Sequence, residues 1–120
     1  MAVCIPFLGV PDIVKTVAWY EAIGFTCSGS NRYWNPEEEL SWAQLEWEGA
    51  AFMLFYSPKI YDTPVRDAGL YFKVAQLNGI ADRLRNCAKI IELNEIPFHA
   101  RTEIVFEDLN GFRITIAASQ

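Results

Sequence analysis

The sequence predicts an α+β fold built from two βαβββ units. Three observations carry this reading. Val3 to Val10 is an apolar run that stops at the turn pair Pro11-Asp12, and Leu70, Phe72 and Val74 open a second strand-like stretch. Each is followed by apolar residues at helical spacing: Ile13, Val17, Tyr20 and Ile23 in the first stretch, Leu77, Ile80, Leu84 and Cys87 in the second. Matched landmarks also stand at nearly constant separation. Val10 to Val74 is 74 − 10 = 64 residues, and Gly49 to Gly111 is 111 − 49 = 62. Similar offsets at both ends of a half argue for an internal repeat.

In the first unit, Asp12 is placed to cap the helix and Gly24 to end it. Phe25 to Ser28 reads as a short strand, and Asn31 to Glu39, polar and interrupted by Pro36, as a loop. Ser41 to Trp47 and Ala51 to Tyr56 read as strands around a turn at Glu48-Gly49. In the second unit, Ala88 to Leu93, Thr102 to Phe106 and Phe112 to Ile116 are the expected strands, the last two joined by Glu107-Asp108-Leu109-Asn110-Gly111. The halves are expected at about 1–57 and 68–120, with a linker at 58–67, inside one domain of 120 residues. Each unit has one helix, which covers one face of its strands. The expectation is a concave cleft between the uncovered faces of the two sheets.

Composition narrows the function classes. The chain is 52 % hydrophobic and 21 % charged, ordinary for a globular protein, but 14 % aromatic. Four Trp, five Tyr and eight Phe exceed the needs of a small core, so some are expected to line a cavity or interface. Fifteen acidic residues against ten basic ones leave a net charge of −5, which argues against nucleic acid as a partner. No apolar run approaches 18 residues and no basic leader pattern opens the chain, so no membrane and a cytoplasmic location are expected. Three cysteines (Cys4, Cys27, Cys87) without a C-x-x-C pair point to neither a disulfide framework nor a structural zinc site.

Strand alternation sorts side chains by face. If Leu8, Val10, Leu70, Phe72 and Val74 pack on the helices, the opposite faces carry Phe7, Trp42, Glu46 and Phe55 in the first unit. In the second they carry Tyr71, Lys73, Glu103 and Arg113. These eight residues are the expected ligand-binding set: an aromatic lining with a few charges, suited to a flat or partly apolar organic molecule. The four charged members have an alternative use, pairing with one another across the sheet. Glu46 and Glu103 are not read as catalytic acids, and His99 is read as a loop residue rather than a base.

The segment Pro6 to Asp12, followed by Trp19-Tyr20 and Ile23-Gly24-Phe25, resembles the opening of vicinal-oxygen-chelate domains. Phe106-Glu107-Asp108-Leu109-Asn110-Gly111-Phe112 resembles that superfamily's closing Asp-Pro-x-Gly turn, with Leu109 in place of proline, and Tyr71 to Ile91 is similar to the second strand and helix. The resemblance covers nearly the whole chain and implies the glyoxalase and bleomycin-resistance fold. It also implies four metal-ligand positions, which fall here on Ile5, Met53, Gly69 and Thr115. None is a His, Glu or Gln, so no metal and no cofactor are expected. Cys87 stands where the superfamily often has a helix-ending glycine, so a different helix end is expected.

The resulting expectation is a metal-free domain, similar in type to bleomycin-resistance proteins, that sequesters an aromatic or planar organic ligand as a homodimer. Two alternatives remain: a metal-dependent enzyme of the glyoxalase, lyase or dioxygenase type, and a dimeric interaction domain without a ligand.

Overall fold

The computed structural model describes residues 1–58, 69–77, 79–87, 89–96 and 101–119. The expected linker, apart from Pro58, lies outside the described residues, as do Ala88 and His99. The chain divides into two compact units, Met1–Ile60 and Tyr61–Gln120.

In the first unit, β1 (Phe7–Val10) leads into α1 (Ile13–Ala22), and β2 (Thr26–Ser30), β3 (Trp42–Trp47) and β4 (Ala50–Tyr56) complete the sheet. Asp12 caps α1 as expected: its Oδ1 accepts the Lys15 N–H at 2.9 Å and its carbonyl accepts the Thr16 hydroxyl at 2.7 Å. The helix closes at Ile23, and Gly24 follows at φ 109°. Ile13, Tyr20 and Ile23 are buried. The Tyr20 ring meets Phe25 at 5.1 Å and Phe52 at 5.2 Å between centroids, and Phe25 stacks on Trp47 at 5.5 Å. This aromatic cluster, with Leu8, Val10, Leu45 and Leu54, is the core of the unit.

In the second unit, β5 (Gly69–Val74) leads into α2 (Ile80–Arg85), followed by β6 (Lys89–Ile96), β7 (Arg101–Glu107) and β8 (Arg113–Ser119). Ile80 and Leu84 of α2 are fully buried, and Phe72, Ile104, Phe106, Ile114 and Ile116 share the interior. Cys87 adopts no positive φ; the helix closes at Asn86 in the right-handed region. The different helix end expected at this position is therefore present.

The two sheets have matching strand orders, β1-β4-β3-β2 and β5-β8-β7-β6. In each, the first strand pairs in parallel with the fourth and the other pairings are antiparallel. Val10 ends β1 and Val74 ends β5, so the 64-residue offset connects equivalent positions. Gly49 at φ 82° and Gly111 at φ 86° occupy the turns before β4 and β8, where a left-handed residue is needed. A third correspondence was not visible in the sequence. Register shifts interrupt the β2–β3 pairing between Cys27 and Gly29 and the β6–β7 pairing between Ile90 and Glu92, an offset of 90 − 27 = 63.

Several boundaries differ from expectation. The first strand starts at Phe7 rather than Val3, which is 80 % exposed. Pro6 has no N–H for a ladder, although its carbonyl accepts the Met53 N–H at 2.8 Å. β2 begins at Thr26, because Phe25 is drawn into the core directly after Gly24. The loop after it opens with a 3-10 turn at Asn31–Tyr33. α2 is only six residues long, so Leu77 and Cys87 flank it rather than belonging to it.

The β7–β8 connection depends on Asp108, which is 6 % exposed. Its Oδ1 accepts the N–H of Asn110 at 2.8 Å and of Phe112 at 3.0 Å. Asp108→Ala leaves both donors without that acceptor and is expected to cost about 2–3 kcal/mol. Leu109→Ala, in the exposed part of the same turn, is expected to stay within about 0.5 kcal/mol. Urea denaturation of the two variants checks the contrast.

Candidate functional site

The helix in each unit covers one side of a sheet, and alternation sends every second residue to the other side. In the first unit, Ala43, Leu45, Phe52 and Leu54 are buried on the helix side. The open side carries Phe7, Gly9, Trp42, Gln44, Glu46, Met53 and Phe55, and the pairs Phe7↔Met53, Gln44↔Met53 and Trp42↔Phe55 place them side by side. The four expected site residues of this unit, Phe7, Trp42, Glu46 and Phe55, therefore share one face.

Two features hold the rings on that face. Phe7 is 58 % and Phe55 42 % exposed, and they meet edge to face at 6.1 Å. Phe55 lies across Gly9, where a Cβ would come within 3.0 Å of its ring, so the absence of a side chain in β1 makes room for the aromatic. Trp42 is anchored by its Nε1–H, which donates to Met53 Sδ at 3.1 Å. Glu46 accepts a bond from Gln44 Nε2 at 3.3 Å.

One aromatic on this side escaped the sequence reading. Trp34, in the segment read as a polar loop, has its ring 5.5 Å from Trp42, at 31°. A large aromatic in a segment with no hydrophobic period was the available signal, but nothing local says where such a ring points.

In the second unit, Tyr71, Lys73 and Arg113 are exposed and Glu103 is half-buried. The pairs Tyr71↔Thr115, Lys73↔Ala117, Glu103↔Ala117 and Gly69↔Arg113 put all four expected residues on the side opposite buried Phe72, Ile104, Ile114 and Ile116. Tyr71 donates its hydroxyl hydrogen to Glu103 Oε2, reaching over β8, whose Thr115 and Ala117 are small enough to leave the path clear.

The superfamily's metal does not fit the residues present. Ile5 offers no donor atom. Met53 already receives the Trp42 N–H on its sulfur. Gly69 is closed to any side chain, since a Cβ there would lie 2.5 Å from the Arg113 carbonyl oxygen. Thr115 alone brings a hydroxyl, a poor ligand by itself. Among the described residues no three His, Cys, Asp or Glu side chains group closely enough to hold an ion.

A separate cavity of about 330 Å³ lies in the first unit, where the start of α1 meets Arg32, the segment Glu39 to Ser41, and Tyr56. It includes none of the expected site residues. Tyr56 shares the helix side of β4 with Phe52 and Leu54, so this cavity is on the other side of the sheet from Trp42.

No family model matches the sequence, and no curated protein matches it either. Solved structures do. A bleomycin-binding protein complexed with bleomycin aligns over all of both chains at 15 % identity and a TM-score of 0.75. A bleomycin resistance determinant encoded on transposon Tn5 aligns over 100 % of this chain and 99 % of its own, at 15 % identity and a TM-score of 0.76. The chain has the bleomycin-resistance and glyoxalase fold of these structures. The fosfomycin resistance protein FosX from Listeria monocytogenes shares it at 13 % identity, covering 100 % of this chain and 94 % of its own, with a TM-score of 0.71. The described residues include no helix long and apolar enough to cross a membrane.

The cysteines give a check on local environment. Cys4 is exposed. Burial pushes the Cys87 thiol above its ordinary pKa, and its Sγ–H donates to the Arg83 carbonyl at 3.3 Å. Since the thiolate is the reactive form, iodoacetamide at pH 8 is expected to modify exposed Cys4 faster than Cys87. Peptide mass spectrometry over a time course reads the order directly.

Proposed function

We propose that this domain binds a small aromatic or planar organic molecule on its open sheet faces, without a metal and without catalysis. The observation that carries the reading is the aromatic set on the first sheet. Phe7 and Phe55 are both exposed, and Gly9 makes room for one of them. Burying a face of a ring under a ligand recovers hydrophobic free energy that the free protein leaves unused. Glu46 is the charged group on the open face of the first sheet, and Lys73, Glu103 and Arg113 are those on the open face of the second; each is available to orient a guest on its own sheet. A fold neighbour that holds bleomycin supports a ligand-binding use of such a scaffold. The unsuitable residues at Ile5, Met53, Gly69 and Thr115 argue against the enzyme alternative.

We further propose that the protein works as a homodimer in the cytoplasm, where Cys4, Cys27 and Cys87 stay reduced. Equilibrium sedimentation at micromolar concentration is expected to give the dimer mass; a monomer alone would overturn that part.

Tryptophan fluorescence against a panel of antibiotics and planar metabolites tests the central claim. At least one compound is expected to shift the emission, and Trp42→Ala is expected to weaken its binding several-fold to about tenfold. Arg113→Ala should weaken anionic compounds and leave cationic ones little changed. Elemental analysis of protein purified without chelator should find less than one equivalent of Zn, Ni, Mn or Fe. If the whole panel fails to bind, the interaction-domain alternative takes over; a stoichiometric ion restores the enzyme alternative.

A further inference from the structure

We propose that the cavity beside the start of α1 is a second binding site, and that it takes a free amino acid with an apolar side chain. It lies on the helix side of the first sheet, so the site is separate from the open face discussed above. Its walls are tied together by named contacts. The Asn31 side chain joins both ends of the segment between β2 and β3: Nδ2 donates to the Glu39 carbonyl at 2.7 Å, and Oδ1 accepts the Ser41 N–H at 2.9 Å. The Tyr56 N–H donates to the Ser41 carbonyl at 3.0 Å, which fixes the end of β4 against the same segment. At the helix, Asp12 caps α1 through the Lys15 N–H. Arg32, Glu39, Leu40, Ser41, Ile13 and Tyr56 thus line a space whose backbone is set before any guest arrives.

The chemistry of the lining selects the guest. Arg32 and Glu39 border one cavity with opposite charges, yet among the described residues neither side chain forms an ion pair or hydrogen bond, with the other or elsewhere. A guanidinium receives a carboxylate in a two-pronged geometry, and a carboxylate receives an ammonium. Buried Ile13 and half-buried Leu40 add apolar surface, and Ser41 and Tyr56 add hydroxyls. The volume is about 330 Å³. With about 30 Å³ as a water molecule's share of the liquid, that is room for roughly ten heavy atoms. A molecule of that size with one carboxylate, one ammonium and an apolar remainder is an amino acid such as leucine. A simple anion would meet Glu39 with the wrong sign, and a simple cation would meet Arg32 so.

Amide chemical-shift titration by proton–nitrogen correlation NMR tests this with three ligands of nearly one shape: leucine, N-acetyl-leucine, which lacks the ammonium, and leucinamide, which lacks the carboxylate. Leucine is expected to bind tightest at neutral pH, in the millimolar range, and to shift the amides of Ile13, Leu40 and Tyr56. Losing either charge should weaken binding about two- to fivefold, the scale of an exposed ion pair, and high salt should narrow the gap. Arg32→Gln should weaken leucine and N-acetyl-leucine but not leucinamide. Glu39→Gln should weaken leucine and leucinamide but not N-acetyl-leucine. Both side chains are exposed, so neither change threatens the fold, and unaltered circular dichroism and Tm confirm it. Equal affinity for the three ligands, indifference of leucine to both substitutions, or no shift at millimolar leucine overturns the proposal. So does a leucine shift centred on Phe7 and Met53, which would put the amino acid on the open face instead. None of these outcomes decides the aromatic panel, so the open-face role stands or falls separately.

Discussion

Among the described residues each four-stranded sheet has one helix to cover it, and the rest of the structure depends on that imbalance. A sheet has two faces, and a half-buried strand must alternate between them. α1 draws Leu8, Val10, Phe52 and Leu54 to its side, which sends Phe7, Met53 and Phe55 to the other. α2 and the interior of the second sheet sort Phe72 from Tyr71 and Lys73 in the same way. An uncovered face made of charged residues would need no explanation. One made of phenyl and indole rings leaves apolar surface in water, and natural sequences seldom keep such a surface without a partner for it.

The backbone is adapted to those rings at particular places. Gly9 under Phe55 is a local sacrifice of packing within β1 that the ring fills from above. The Trp42 indole is held by the Met53 sulfur, and Asn31 joins its backbone to the turn that carries Trp34. Such prior ordering lowers the entropic cost of meeting a rigid guest. At Gly69 a similar economy has the opposite effect: the close approach of the Arg113 carbonyl removes a position from which a side chain might have reached a metal.

Much of the fold was legible because its signals are local. The helix cap at Asp12, the left-handed turn glycines Gly49 and Gly111, and the alternation of β3 and β4 each follow from neighbours in sequence. The offsets of 62 and 64 then turned local signals into an architecture. Less legible were the strand start at Phe7, the shortness of α2 and the matching bulges in β2 and β6, since these depend on which backbone groups find partners on other strands. For the site, the period of two placed all eight expected residues on the open faces. It failed for Trp34, which belongs to no periodic element. It also said nothing of the cross-strand partner of Glu103, which meets Tyr71 through a contact set by register.

The sequence by itself determined the two repeated units, the faces of their strands and the lack of metal-binding side chains at four positions, because period, turn chemistry and donor atoms are properties of the residues themselves. Only the tertiary structure decided that Gly9 lies beneath Phe55, that Gly69 is pressed against a carbonyl, and that Trp34 comes beside Trp42. Those relations arise where segments distant along the chain are brought to within a few ångströms, and strand register and loop closure, not local pattern, set that distance.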